Sequence, residues 1–402
     1  MNAISIKNLD VIFGDNVDKS LALLDKDKSR QDIIDITGDV VGVDNVSLDI
    51  KHGEICVLMG LSGSGKSSLL RTINGLNTIS RGELNISSES GSINLADCSS
   101  STLRHLRTNR ISMVFQKFAL MPWLSVLDNA AFGLEMQGVP REKRRRQAEE
   151  KLTMVGLAEW KDNFPHELSG GMQQRVGLAR AFAMDSDILL MDEPFSALDP
   201  LIRCQLQDEL LELQRQLNKT IVFVSHDLDE ALKLGSTIAI MESGRLIQQG
   251  KPEEIVLNPN SKYVEDFVAH TNPLNVLRGR SLMREVTELD KKENKIVINP
   301  HNRTYLNLDS KGNIELAERM DRTIPLRQWK KGECFNPLKE GNLVVTDPDI
   351  SMRDGLEICY RTGQPILLAK DRQLIGLLSH NDFYHALLGK HFTLDSQNMS
   401  AT

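Results

Sequence analysis

Short, unbroken apolar runs alternate with helix-spaced segments along the first 270 residues. Ile55–Met59 (ICVLM), Ile188–Asp192 (ILLMD) and Ile221–Val224 (IVFV) show no polar alternation. Such runs fit strands of a parallel sheet buried on both faces. Each is followed at once by glycines, serines or charged residues, at the carboxyl ends of strands where open parallel sheets gather their ligands. Between the runs lie helical patterns: one opening at Ser67, one over Val126–Leu157, and one after Asp199 with leucines at 201, 206, 210, 213 and 217. The last predicts an amphipathic helix packed on the sheet. At the N-terminus, Ile4–Leu9 and Val11–Phe13 read as a strand that pairs with Val46–Ile50. Residues 14–43 interrupt that pairing with a charged spacer whose apolar positions, Leu21, Leu24, Ile33 and Ile34, predict one or two short helices. Residues Leu343–Leu388 give the order strand, helix, strand, strand, helix. The expected architecture is α/β, with a helical subdomain near 118–180 and a smaller α+β C-terminal domain. The boundary falls after Phe267–His270, at Asn272–Pro273, giving domains 1–270 and 271–402.

Chemistry sits at the predicted strand ends. Gly60–Ser68 (GLSGSGKSS) matches G-x-x-x-x-G-K-[ST], with Gly60, Gly65, Lys66 and Ser67 in the fixed places. Ser62, Gly63 and Ser64 complete a tight turn whose backbone N–H groups face phosphate oxygens, and the helix that follows adds positive charge at its N-terminus. Lys66 is placed to reach the β- and γ-phosphates and Ser67 to ligate Mg2+, with Ser68 beside it. Asp192 ends the second run and suits a water-mediated hold on Mg2+; Glu193 follows, placed to orient or deprotonate an attacking water. The third run leads into Ser225-His226-Asp227, which brings His226 to the same edge.

A second string, Leu168–Arg175 (LSGGMQQR), accompanies the first. Together they resemble the ATP-binding cassette (ABC) ATPases, and Gly53–Gly250 is similar to the nucleotide-binding subunit of an ABC transporter over its whole length. The resemblance implies ATP and Mg2+ as cofactors. Gln116 becomes the glutamine that senses Mg2+ and nucleotide and faces the membrane subunit, and His226 a contact to the γ-phosphate. Leu168–Gly171 becomes the signature, so that Ser169, Gly170, Gly171 and Gln173 close over ATP held by a second subunit, and Asp199 closes the loop Ser196–Asp199. The spacer 14–43 and the phrases GLSGSGKSSLLR, FALMPW and HELSGGMQQRVGLARAFA resemble the glycine betaine/proline/choline uptake family, most closely its choline-type members. Phe13 then stacks on adenine; as part of an apolar strand it also reads as ordinary core. FALMPW (Phe118–Trp123) suits either core packing or a groove for a permease helix. Leu343–Leu388 resembles a CBS-type regulatory repeat, with Ser379 and Asp382 at the ribose in repeats that bind adenine nucleotides. Its partner repeat is expected, in degenerate form, near Leu282–Met320.

The implied protein is an ATP-hydrolysing homodimer on the cytoplasmic face of the cell membrane. It powers an integral permease fed by a periplasmic or lipid-anchored substrate-binding protein, and the cargo is choline, glycine betaine, proline betaine or trimethylamine N-oxide. An importer for amino acids or metals is the alternative, and a non-transport ABC ATPase a more distant one. Composition agrees. Hydrophobic residues make up 40% and charged residues 26%, the range of a globular protein, and the net charge of −7 offers no general field for nucleic acid. The basic run Arg141–Arg146 reads as a solvated helix start. Five scattered cysteines, Cys56, Cys98, Cys204, Cys334 and Cys359, lack C-x-x-C spacing and suit reduced thiols. No apolar stretch approaches the ~18 residues a membrane span needs.

Overall fold

The computed structural model describes residues 2–387 apart from 89–90, 270–271, 273, 275, 293–294, 300–301, 331 and 337. His270, Pro273, Glu293, Asn294, Pro300, His301 and Leu388, which took part in the reading above, lie outside the described residues. Two compact units result, 1–252 and 253–402. The division falls at Pro252, ahead of the Asn272–Pro273 boundary expected from sequence. The helix Pro252–Leu257 carries Glu253, which accepts a hydrogen bond from Ser281 Oγ and lies 3.7 Å from Arg278, so it sides with the second unit.

The first unit runs β1 (Asn2–Phe13), α1 (Val17–Leu24), α2 (Arg30–Thr37), β2 (Val40–Lys51), β3 (Ile55–Met59), α3 (Lys66–Ile73), β4 (Arg81–Ser88), β5 (Gly91–Asn94), α4 (Ser100–His105), β6 (Ile111–Val114), α5 (Val126–Met136), α6 (Arg141–Met154), α7 (Gly170–Ala183), β7 (Ile188–Asp192), α8 (Pro200–Leu217), β8 (Thr220–Val224), α9 (Leu228–Leu234), β9 (Thr237–Glu242) and β10 (Arg245–Gly250). Two sheets form. One is antiparallel, in the order β2-β1-β4-β5; the other, β10-β9-β3-β8-β7-β6, is parallel except for its edge strand β10. The three apolar runs are neighbours in the second sheet, as their composition predicts. A single core joins Ile4, Ile6 and Val46 of the first sheet to Leu58, Leu190 and Val222 of the second, with Leu69 and Leu70 of α3 between them.

Phe13 pairs with Val40, so β1 and β2 extend past the expected Val46–Ile50 contact and carry the spacer at their tip. The spacer has its own small core of Ile12, Leu24, Ile33 and Val41. Asp39, 2% exposed, serves as its anchor: it accepts hydrogen bonds from Asn16 N at 3.2 Å and from Ser20 Oγ at 2.7 Å. Helix α2 begins in a capping box between Ser29 and Asp32 and ends at Gly38 in the left-handed region.

Helices α5, α6 and α7 pack against one another as the helical subdomain. The basic run opens α6, where Arg144 and Arg145 pair with Glu135 and Asp128 at its solvated start. Helix α8 buries a narrower stripe than its leucines suggested: Leu206, Gln207 and Leu210 are buried, whereas Leu201 and Leu217 are exposed.

In the second unit, the strands Arg284–Glu285, Gln373–Leu378, Ile366–Lys370, Leu343–Thr346 and Leu326–Gln328 form one sheet in that order, with helices Met352–Thr362 and His380–Leu387. The strand-helix-strand-strand-helix order expected for 343–388 is present. The stretch Leu282–Met320 is different from expectation. It contributes to an antiparallel meander of Lys291–Lys292, Lys295–Asn299, Thr304–Leu308, Ile314–Arg319 and Arg322–Ile324 rather than to a degenerate helix-containing repeat. Period-two alternation decides it: Ile296 and Ile298 point inward and meet Leu306, Leu343 and Leu377 in one core. Asp382 Oδ2 accepts from both the N–H and the hydroxyl of Ser379, each at 2.6 Å, so this pair closes the start of its own helix.

Replacing the spacer's anchor, Asp39→Ala, leaves Ser20 without its carboxylate partner and should loosen the spacer by about 1.5–3 kcal/mol, the worth of hydrogen bonds to a charged group. Amide exchange at residues 17–37 is expected to accelerate while Ile55–Met59 stays protected. Equal acceleration at both sites would make Asp39 a determinant of the whole unit instead.

Candidate active site

The phosphate loop leaves β3 at Met59 and enters α3 at Lys66. Gly65 closes it with φ +100°, and a Cβ there would lie 2.4 Å from the carbonyl oxygen of Gly42. Only glycine allows both the angle and that approach. Lys66, 6% exposed, donates to the carbonyls of Gly60 at 2.8 Å and Leu61 at 2.9 Å, with Ser64 Oγ at 3.4 Å. Burial pushes its pKa below the usual lysine value, and the carboxylates of Glu193 and Asp192 oppose that shift.

Asp192 at the end of β7 is fully buried. Its Oδ1 accepts from Ser67 Oγ at 2.7 Å and its Oδ2 from Arg71 at 3.0 Å, which ties the strand end to the first turns of α3. Glu193 turns out of the strand with φ +48°, a region unusual for a residue with a side chain. Four hydrogen bonds fix that turn or what surrounds it. Glu193 N donates to Val224 O at 3.1 Å; Gln174 of α7 and Ser196 donate to Glu193 O at 3.2 and 3.0 Å; Gln174 also accepts from Ala197 N at 3.1 Å. The carboxylate consequently points toward Gln116 Nε2 at 3.4 Å and His226 Nδ1 at 3.5 Å. Behind His226, Glu230 accepts from Ser225 Oγ at 2.5 Å and from Gln207 at 3.0 Å; burial raises its pKa above the usual carboxylate range and those two bonds oppose the rise.

A cavity of about 570 Å3 opens over this edge. Phe13, Ser62, Gly63, Gly65, Lys66, Ser67, Ser68, Gln116, Glu193 and His226 line it, so ten residues singled out from sequence meet in one place. Gly60, Ser64 and Asp192 lie beneath it. Ser169, Gly170, Gly171 and Gln173 are not in its wall: Ser169 caps α7, and Gln173 donates to Pro165 O and Leu168 O. Asp199 caps α8 by accepting from Ile202 N. Sequence reasoning passed over Arg30, Val40 and Gly42, which also line the cavity, and Arg71 and Gln174, which hold its acids. Arg71 was within reach, four residues after Ser67 on one helix face. Arg30 carried no signal, because it arrives from the spacer through tertiary structure alone.

The segment after Gln116 is held open. Phe118 and Ala119 have positive φ, and buried Arg180 of α7 donates to both their carbonyls, at 3.1 and 2.7 Å. Asn129, fully buried, accepts from Met121 N and donates to the carbonyls of Met121, Leu124 and Ser125. Trp123 is thereby left 71% exposed. Ala119 and Met121 of the same segment line an apolar groove of about 360 Å3 with Leu76, Phe115, Phe132, Met136 and Met184.

Residues 43–196 match the family model described as ABC transporter. The chain is 46% identical over 290 residues to the glycine betaine transport ATP-binding protein OpuAA of Bacillus subtilis (strain 168), covering 72% of this chain and 68% of that one. It is 48% identical over 281 residues to the glycine betaine/proline betaine transport system ATP-binding protein ProV of Escherichia coli (strain K12), covering 70% and 69%. Its fold is similar, with a TM-score of 0.53 and 32% identity, to a dimeric structure of MJ0796, a bacterial ABC transporter cassette, over 62% of this chain and 98% of that one.

Gly42 offers a direct check on Phe13. A Cβ at Gly42 would stand 2.5 Å from the Phe13 ring. Gly42→Ala should therefore swing the ring aside and weaken ATP binding by up to about tenfold, the equivalent of an aromatic contact worth about 0.5–1.5 kcal/mol. Nucleotide titration of a variant with unchanged circular dichroism reads this out. Undiminished affinity would return Phe13 to an ordinary packing role.

Proposed function

The chain belongs to the ABC transporter family, among the ATP-binding subunits of quaternary-amine importers, and from that premise we propose that it hydrolyses ATP to drive uptake of glycine betaine or proline betaine through a membrane permease. One observation carries the reading. The phosphate loop, Glu193, His226 and Gln116 line a single cavity of about 570 Å3, and the buried carboxylate of Asp192 sits against Ser67 at its floor.

Each residue has a physical task there. Backbone N–H groups of residues 62–67 and the α3 N-terminus meet the β-phosphate. Lys66 exchanges its carbonyl partners for phosphate oxygens. Ser67, Gln116 and Asp192 are a set of hard oxygen donors that fits Mg2+, which would neutralise charge on the β- and γ-phosphates. Glu193 orients or deprotonates the attacking water, and His226 holds the γ-phosphate from the other side. Phe13 stacks on adenine.

The signature residues outside the cavity wall support a homodimer in which Ser169, Gly170, Gly171 and Gln173 of one copy complete the site of the other. The apolar groove lined by Met121, Met136 and Met184 suits a helical segment of the permease, with the methionines adapting to its surface. No described helix is long and apolar enough to cross a membrane. Substrate choice then rests with the permease and the binding protein.

Glu193→Gln should lower ATP turnover about 10²–10⁴-fold, the usual worth of a general base, while ATP still brings two copies together on gel filtration. Rapid turnover in that variant removes Glu193 from the role of base. In proteoliposomes holding the complete transporter, glycine betaine or proline betaine is expected to stimulate ATP hydrolysis and to accumulate. Stimulation by an amino acid or a metal ion instead would move the chain to a different importer class.

A further inference from the structure

The spacer 14–43 supplies none of the groups assigned to the chemistry so far, yet side chains from it, Arg30 and Val40, line the cavity. Arg30, the first residue of α2, is half-buried and lines the cavity next to Phe13, Val40 and Gly42. Its guanidinium donates to two backbone carbonyls on two different sides of that space. One is Gly63 O, in the middle of the phosphate loop, at 3.2 Å; the other is Val41 O, in the strand that pairs with Phe13. We propose that Arg30 is a positioning residue of the nucleotide site: it fixes the distance between the wall that takes the base and the loop that takes the phosphates. The spacer is then an affinity element for ATP.

Three observations support this. The two carbonyls are met by different arms of one fork, Nη1 donating to Gly63 O and Nη2 to Val41 O, whereas an ammonium would have to reach both from a single nitrogen. Arg30 is itself held, since Ser29 caps α2 and Ile33, one turn on, is fully buried against Ile12, Leu24 and Val41. The wall it braces is continuous with the site: Gly42 follows Val41, its carbonyl lies under Gly65, and the Phe13 ring rests over it. Burial lowers the pKa of Arg30 and the carboxylate of Asp44 opposes the shift, so the cation persists.

The consequence is specific to ligands that span both regions. ATP touches base wall and phosphate loop together; inorganic tripolyphosphate touches the loop alone. The inference rests on ATP occupying this cavity, and the experiment separates the two claims. Full-length wild-type, Arg30→Ala, Arg30→Lys, Phe13→Ala and the Arg30→Ala/Phe13→Ala double variant are titrated with ATP and with tripolyphosphate by calorimetry, and turnover is measured against ATP concentration. Arg30→Ala is expected to raise the Kd and KM for ATP about tenfold, with kcat within about twofold of wild type and tripolyphosphate affinity within about threefold, the loss corresponding to about 1.4 kcal/mol. Arg30→Lys should behave like Arg30→Ala. The double variant should lose less than the sum of the single losses, because both residues serve one wall. Arg30→Gln, which keeps a planar amide, replaces Arg30→Ala should the latter not fold, with the same weakened ATP binding expected.

Full recovery by Arg30→Lys overturns the proposal in favour of plain charge attraction. Equal losses for ATP and tripolyphosphate overturn it in favour of a loop defect, and a drop in kcat with KM unchanged places Arg30 in hydrolysis instead. ATP affinity unaltered in Arg30→Ala ends it outright. If wild type binds no ATP, the reading of the cavity falls first.

Discussion

A carboxylate without solvent contact organises this site. Asp192 ends a central strand in a fully buried position, where an unpaired charge would cost several kcal/mol. Ser67 and Arg71 satisfy it, and both stand on α3, the helix that the phosphate loop starts. The loop, the helix and the neighbouring strand end therefore cannot drift independently. Glu193 follows on the same strand: it turns out at positive φ, its carbonyl accepts from Gln174 and Ser196, and its N–H donates to Val224 O. Glu193 and Lys66 thus share one rigid frame.

The antiparallel sheet packs on this frame. Its strands β1 and β2 join the common core with one end and carry a wall of the cavity with the other, at Phe13, Val40 and Gly42. The Gly42 carbonyl approaches Gly65 so closely that only a residue without a Cβ fits at 65, and Gly42 itself leaves room for the Phe13 ring. Wall and loop are thus matched by close packing of backbone on backbone, which leaves Arg30 to span the gap that packing does not fill.

Residues whose role is written into local pattern were legible from the chain alone. The three apolar runs became adjacent parallel strands because a run without polar alternation can be buried only on both faces, and the polar residues after them met at one edge for the same reason. The helix after Asp199 was legible because Asp199 caps it, and Ser169 caps α7 in the same way. What stayed hidden depended on long-range placement. Arg30, Gly42 and Gln174 look ordinary in sequence and gain meaning only against Gly63, Phe13 and Glu193. The C-terminal unit shows the converse: the resemblance of Leu343–Leu388 to a CBS-type repeat implied a degenerate partner at Leu282–Met320, whereas the alternation in Lys295–Asn299 and Ile314–Arg319 specifies a meander.

The signature end of α7 remains to be connected with the cavity it does not line. Gly171 would carry a Cβ 3.1 Å from Ala197 O, so the helix start rests directly on the segment after Glu193. One turn along, Gln174, 1% exposed, donates to Glu193 O and accepts from Ala197 N. A buried amide that bonds both ends of so short a segment cannot shift without moving the backbone of Glu193. The same helix grips Phe118 and Ala119 through Arg180, beside Gln116 and the apolar groove. The segment after Gln116 and the backbone of Glu193 therefore hang on one helix, and a displacement of α7 would reach both through hydrogen bonds rather than through side-chain packing alone.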